Sequence, residues 1–421
     1  MAFLRSLFSG VSGLRNHQMM MDVIGNNISN INTIGFKGSR TTFSEMFSQT
    51  LRGATQPIGG NGGSNPIQVG LGMTVNTVDT IFSQGNIETT GVSTDLAIQG
   101  NSFFIMKENG QNLFTRAGTF QFDANGNIVN PGNGAILQGK LADAAGNIPV
   151  GTRLEDLKIG FDRKSPAKAT SQVKFAGNLD SSAATGDTAD TSMTFYDSLG
   201  NRQTLTLNLV KSATPNQWTW TAAVPAPSAI TAGGSGTITF NTDGSLASFT
   251  YAGGATGVAI TPNNGAANLN IAIDAGTPGE FSGITQTEGS SSITPRDQDG
   301  YASGSLSNVT IDQNGRIQGT FSNGTLIPLG QIIVAEFNNP QGLVRQGDNM
   351  FNVSDNSGSA ALLIPGVSSQ AKILSGSLEQ SNVDLADEFT KMITAQRGFQ
   401  ANAKVITTSD EFLNEVVNLK R

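Results

Sequence analysis

Leu385-Ala-Asp-Glu-Phe-Thr-Lys-Met-Ile-Thr-Ala-Gln-Arg-Gly-Phe-Gln-Ala-Asn-Ala-Lys-Val-Ile406 is the stretch whose reading decides the fold. Leu385, Phe389, Met392, Phe399, Ala403, Ile406, Leu413 and Val417 fall on a 3-4 spacing, with Gln396 and Asp410 at the two remaining positions. That is the repeat of a helix with a single apolar seam. Asp384 supplies an N-cap, and Asp387 and Glu388 put acidic charge where the helix dipole favours it. A helix running from there to the end is about 50 Å long at ~1.5 Å per residue. The other end of the chain repeats the pattern: Leu4, Leu7, Val11, Leu14, Met21 and Ile28 are spaced alike, with Gln18 and Gly25 completing the seam.

A long helix with one apolar seam needs a partner. Two arrangements supply it. The terminal helices can pair within one chain and pack on a β-domain, or each can be buried against neighbouring subunits. The stripes lie at opposite ends of the sequence, joined to the middle by polar, flexible chain, and that favours the second arrangement. The segment Gly53–Gly72 (GATQPIGGNGGSNPIQVGLG) reads as linker by composition.

Between the ends the chain reads as strand and turn. Phe120–Ile128, Ile238–Leu246 and Val309–Ile317 each alternate apolar residues and then turn at Asn-Gly or Asp-Gly, and Asn323-Gly324 adds a fourth candidate. Glycine accepts the positive φ of tight hairpin turns, so these are β-hairpins. Thr191–Tyr196, Gln203–Val210, Trp218–Ala222 and Thr237–Phe240 carry strand signals of their own, between Ser/Gly/Thr/Pro-rich boundaries near 139–149 and 287–296. The expected fold is mainly β with terminal α-helices. Residues 1–34 and 376–421 form a coiled-coil-like helical core domain, and 35–75 an extended linker. Residues 76–142 and 289–375 form one β-domain, into which 143–288 insert a second.

Composition narrows the function. Charged residues are only 14% of 421, glycine numbers 51 and the net charge is −7. A chain of that charge has nothing to neutralise a row of phosphates, which argues against nucleic acid as a partner. The absence of cysteine removes disulfides, thiolate metal sites and thiol nucleophiles. Arg5 and Arg15 interrupt the N-terminus, which carries no cleavable secretory signal, and no run of 18 apolar residues exists to span a membrane. Export by a route that keeps the N-terminus is therefore the expectation for a non-cytosolic location.

No catalytic constellation emerges. The single His17 reads as a solvated helix residue. Asp123-Ala-Asn125-Gly126 and Asp297-Gln-Asp299-Gly300 resemble calcium loops, but Gly comes fourth where an EF-hand loop needs it sixth, so they read as turns. No dinucleotide, phosphate-loop or nucleophile-elbow motif is present. No cofactor and no metal are expected.

Asn26-Asn27-Ile28-Ser29-Asn30, followed by Gly35-Phe36-Lys37, resembles the N-terminal signature of the bacterial flagellar rod and hook proteins. Glu379-Gln-Ser-Asn382-Val383-Asp384, continuing through Met392 and Ala395-Gln396-Arg397 to Phe399, resembles their C-terminal signature. Ser83–Asn86, Asp95–Ile98 with Phe103-Phe104, Phe114–Gly118, Gln331–Val334 and Gln346–Asp348 match inside. The resemblance covers both ends and the first β-domain, roughly two thirds of the chain. Its large insert implies the hook type, with an outer domain that rod subunits lack, although the long linker is similar to that of the distal rod.

The resemblance implies a structural subunit that polymerises with many copies of itself into a curved helical tube, a universal joint carrying motor torque. It implies export through the flagellar type III apparatus and residence outside the cell. Other axial proteins follow as partners: distal rod, hook–filament junction and hook cap. The fourteen stripe residues would then form the assembly core. A distal rod subunit, a secreted β-rich adhesin or binding module, and a cell-wall glycan hydrolase are the competing readings.

Overall fold

The computed structural model describes residues 2–57, 62–151 and 153–418, with side chains from Arg5 onward. The chain forms two compact units. The first comprises Met1–Gly160, Thr310–Gln318 and Pro328–Arg421, the second Phe161–Val309 and Gly319–Ile327.

In the first unit, helix α1 (Ala2–Ser29) runs antiparallel to helix α2 (Leu385–Asn418). Asp384 caps α2 as its sequence predicts: its Oδ1 accepts the amides of Ala386 (2.8 Å) and Asp387 (3.2 Å). The helices are shorter than the expected core-domain segments. Ser377–Glu379 is a strand paired with Ile87–Thr89, so the chain up to Asp384 belongs to the β-structure.

Residues 35–75 are not an extended linker. Ser39–Glu45 pairs antiparallel with Met73–Thr80, and Ser48–Arg52 with Ile67–Gly70, so the segment leaves and returns as a ribbon. The glycine-rich composition describes only its far end, and residues 58–61 lie outside the described ones. Cross-strand pairs such as Thr42 and Thr77, whose hydroxyls lie 2.6 Å apart, supply the strand signal that this composition masks.

The rest of the first unit is a β-body around Phe103, Ile105, Phe114, Ile333, Phe337 and Phe351, all buried. Phe103 meets Phe337 and Phe351 edge-on, at 5.7 and 6.1 Å between centroids. The predicted hairpin after Phe120 is present: Ile128 pairs with Phe122 across a turn in which Gly126 has φ 83°. The boundary of the insert lies later than composition suggests. Glu155–Asp156 pairs with Gln138–Gly139, and Leu157 and Ile159 are buried in the first unit, so the chain leaves it after Gly160, not after 142. On the return side Thr294–Gln298 pairs with Val173–Ala176 inside the second unit, which moves the expected edge at 288 to 309.

The second unit packs two sheets against each other. One is an antiparallel five-stranded sheet formed by Thr188–Tyr196, Arg202–Lys211, Gln217–Ala223, Ser235–Phe240 and Leu246–Tyr251. The other is mixed and centred on Gln172–Asp180, which lies parallel to Leu269–Asp274 and Ile284–Thr287. Alternation puts Leu205, Leu207 and Leu209 inward, where they join Trp218, Trp220, Phe175 and Ile271 in one core.

Acidic turn residues knit this unit. Asp299 accepts the amides of Ser171 (2.8 Å) and Gln172 (2.9 Å) and the Ser171 hydroxyl (2.6 Å), with Lys168 Nζ at 3.1 Å. Burial pushes its pKa up, but these donors outweigh burial and hold the carboxyl well below the usual range. Asp197 is held low in the same way, with burial opposed by Asn264, Asn201 and Leu199. A carboxyl depressed in the folded state stabilises it above the unfolded value of ~3.9, and that stability is lost as pH falls through the folded value. The melting temperature of the second unit is therefore expected to hold from neutrality to about pH 5 and to fall steeply below about pH 4. Asp299→Asn should melt lower at neutral pH and respond less to acid. Equal acid slopes in the variant and the parent would remove Asp299 from this role.

Candidate functional site: the paired terminal helices and their anchor

The sequence favours each apolar stripe being buried against neighbouring subunits and not against the chain's other helix. The two helices instead pair within one chain, and they do so through small and polar residues. Across their interface Ser6 and Ser409 hydroxyls meet at 3.3 Å, and Asn27 Nδ2 donates to Glu388 Oε2 at 3.1 Å. Between these ends the contacts are glycines. A Cβ on Gly13 would lie 2.6 Å from the Asn402 side chain, and one on Gly398 would lie 2.5 Å from the His17 ring. One on Gly10 would lie 3.1 Å from Ile406. The helices approach so closely that little else fits there.

The α1 seam is thus Ser6, Gly10, Gly13, His17, Ile24 and Asn27, one residue before the predicted positions 7, 11, 14, 18, 25 and 28. A step of one residue turns a helix face by about 100°. On α2 the column Met392, Phe399, Ile406 and Leu413 is half-buried, as its spacing predicts. The second predicted column moves by one residue to Glu388, Ala395, Asn402 and Ser409, spaced by sevens. Of the displaced residues Phe389 (48% exposed) and Val417 (67%) look outward, joined by Ile393 (58%) and by Leu385 at the start of the first column. On α1 Val11 is exposed, Leu7, Leu14, Met21 and Ile28 are half-buried, and Ala403 on α2 is half-buried too. Leu4 lies outside the described side chains. Hydrophobic periodicity missed the small-residue seam because it searches for large side chains. Glycines and an alanine at heptad offsets were its visible signal.

Below the helices, the signature residues converge on a buried charge cluster. Glu379 accepts from Lys37 Nζ (2.7 Å) and the Gly85 amide (2.8 Å) through one oxygen, and from Arg116 Nη1 (3.4 Å) through the other. None of the three side chains is more than 1% exposed. Lys37 also donates to the Ser83 carbonyl at 2.8 Å. Burial pulls the Lys37 ammonium and the Arg116 guanidinium below their ordinary pKa values, and the Glu379 carboxylate opposes that pull. Gly35 has φ 69°, and a Cβ there would lie 2.5 Å from the Ala117 nitrogen, so only glycine fits. Its amide donates to the Glu379 carbonyl at 2.8 Å. Phe36 is buried beneath the Arg345 guanidinium, 5.2 Å from ring centroid to charge.

The remaining signature residues act as clips. Asn27 also donates to the Ser39 carbonyl and accepts its amide, at 2.7 and 2.9 Å. Asn382 accepts the Gly38 amide (2.8 Å) and donates to the Ile81 carbonyl (2.7 Å), while Val383 packs on Gly38. Asn30 donates to the carbonyl of Asn26 at 2.9 Å and closes the end of α1. Gln396 and Arg397 face solvent. Lys37, Arg116 and Glu379 lie within motifs quoted from the sequence, but no local signal shows that they meet.

The two suspected cation loops are turns. Asp123 Oδ1 accepts the amides of Asn125 and Asn127 (both 2.8 Å), and its Oδ2 the Asn127 side chain (2.7 Å). Asp299 is occupied as described above. Among the described residues no group of three His, Cys, Asp or Glu side chains could hold a metal ion. No helix there is long and apolar enough to cross a membrane.

Four family models match the chain in order. They are the flagella basal body rod protein over residues 7–37, the flagellar hook protein FlgE/F/G D1 domain over 97–162, the flagellar basal body protein FlaE D2 domain over 165–301, and the flagellar basal body rod FlgEFG protein C-terminal region over 374–419. The flagellar hook protein FlgE of Borreliella burgdorferi is 45% identical over 99% of this chain and 100% of its own. The flagellar basal-body rod protein FlgG of Bacillus subtilis is 32% identical over 99% and 100%. The crystal structure of Helicobacter pylori flagellar hook protein FlgE2 superposes with a TM-score of 0.50 at 15% identity, over 70% of this chain and 100% of that one, a likeness of fold.

Proposed function

The chain belongs to the flagellar hook protein family and is a structural subunit of the hook, and on that premise we propose that its paired terminal helices are the surface through which copies polymerise. The observation that carries this reading is the inside-out packing of the pair. Glycine, serine and alanine lie between the helices, while Phe8 (69% exposed), Phe389, Ile393 and Val417 face outward. Exposed large apolar side chains along two long helices mark an interaction surface, since a monomer gains nothing by wetting them. The cis pair is then a preassembled unit that presents apolar stripes to neighbouring copies on its outer faces.

In this reading the first unit's β-body and the second unit are the outer bodies of a curved tube that passes motor torque to the filament. Passage through the flagellar type III apparatus, a position outside the cell, and contacts with the distal rod, the hook–filament junction and the hook cap belong to the same proposal. The ribbon at 39–80 and the kinship with a rod protein favour a straight rod as the second reading. Electron microscopy of polymers grown from the purified chain separates the two. Curved tubes are the expected result, straight cylinders would transfer the chain to the rod, and a persistent monomer would remove both.

A further inference from the structure

We propose that a groove on the outer side of α1 receives the C-terminal turns of α2 from a second copy of the chain. The inference rests on the assembly reading and assigns one of its contacts. The groove has a volume of about 450 Å³ and lies between α1 and the middle of the ribbon, where its two ladders join. Phe8, Val11, Met46 and Leu71 give it apolar walls, and Arg5 and Arg15 stand on it as cations. Its shape is fixed from below. Asn16 Nδ2 donates to the Met73 carbonyl at 2.6 Å, and the Met73 amide donates to Ser12 Oγ at 3.3 Å.

The chain's own α2 cannot occupy this groove. It lies against Ser6, Gly10, Gly13 and His17, and Arg5, Phe8, Ser12 and Arg15 fall on the opposite side of the helix by their spacing. Among the described residues neither Arg5 nor Arg15 forms an ion pair. The last turns of α2 present what the groove lacks. Asp410, Glu411 and Glu415 are exposed and form no ion pair among the described residues, and Val416 (51% exposed) stands beside Glu415. Opposite charges around a matched apolar strip fix register and partner choice. Each α1 would then be flanked by its own α2 on one side and a neighbour's on the other. Groove and tail are different surfaces, so the contact is head-to-tail and propagates into a helical polymer instead of closing as a dimer.

The chain has no cysteine, so introduced ones report this contact alone. Copies carrying Val11→Cys are mixed with copies carrying Val416→Cys, polymerised and oxidised. A disulfide-linked pair of the two species is expected, and none when Asp22→Cys replaces Val11→Cys. In parallel Arg15→Glu is expected to raise the critical concentration about tenfold, equivalent to ~1.4 kcal/mol, and Glu415→Arg in the same chain to bring it back. Polymers that form without the cross-link would overturn the groove and leave the hook reading intact. Failure of the unaltered chain to polymerise would overturn both.

Discussion

Replacing Glu379 by alanine is expected to destabilise the first unit by about 3–5 kcal/mol, the range found when one member of a buried ion pair is removed. Among the described residues Glu379 is the one carboxylate paired with Lys37 and Arg116, all three side chains are essentially inaccessible, and Arg116 Nε has no hydrogen-bond partner. Without Glu379 two cations remain in a region that water does not reach. They are not equivalent. A buried lysine can shed its proton and escape most of the penalty, whereas an arginine keeps its charge. Most of the cost should therefore rest on Arg116, and a second change, Arg116→Met, should recover more stability than Lys37→Met does. For a unit of this size each kcal/mol moves the melting temperature roughly 2–4 °C, so a drop near ten degrees is expected in the first unit alone. The second unit should melt as before, since the cluster lies outside it. A loss below about 1 kcal/mol, or equal rescue by the two methionine changes, would show that the cluster is not held by uncompensated charge.

The same residues explain why this position carries so much. Lys37 follows α1 by eight residues and Glu379 precedes α2 by six, so their contact ties both helix roots to one point of the β-body. The Gly35 amide on the Glu379 carbonyl and Asn382 on the Gly38 amide repeat that tie through the backbone. Loss of the carboxylate should therefore loosen the helix pair as a whole without changing any residue in it.

How much of this could be read from the chain depended on how local each signal was. Hairpins at Gly126 and Gly244 were legible because a turn needs only a few residues and a glycine at positive φ. The N-cap at Asp384 was legible for the same reason. The α2 column Met392, Phe399, Ile406 and Leu413 followed from periodicity. The rotation of α1 did not, because choosing between adjacent faces depends on what the partner helix presents. Gly13 against Asn402 and Gly398 against His17 are pairings between residues nearly 400 apart in sequence. The edge of the insert was misplaced because Ser/Gly composition near 139–149 resembles a boundary, while Leu157 and Ile159, buried just beyond it, hold the chain in the first unit.

Ile393→Asp is expected to abolish polymerisation while leaving the monomer intact, and the contrast with Gly13→Leu makes the result decisive. Ile393 is 58% exposed in the folded chain, so a polar replacement there should change monomer stability by no more than about 0.5 kcal/mol. If neighbours bury it, the variant forfeits ~1.5–3 kcal/mol of apolar burial and brings an unpaired carboxylate into the contact as well. Since ~1.4 kcal/mol is tenfold, the critical concentration should rise by about a hundredfold or more. Phe389→Asp, on the same outward side, should behave alike. Gly13→Leu acts from the other side. Its side chain has no room against Asn402, so it should wedge the helices apart and lower helix content in the monomer before assembly is tested. Both variants then fail to polymerise, but only Gly13→Leu changes circular dichroism and proteolytic protection of the ends. Normal polymerisation of Ile393→Asp and Phe389→Asp would mean that the outward stripe meets solvent in the tube. Assembly would then have to be driven by the other exposed apolar side chains of the helices, Phe8 and Val11 on α1 and Val416 on α2 among them, or by exchange of the small-residue seam between copies.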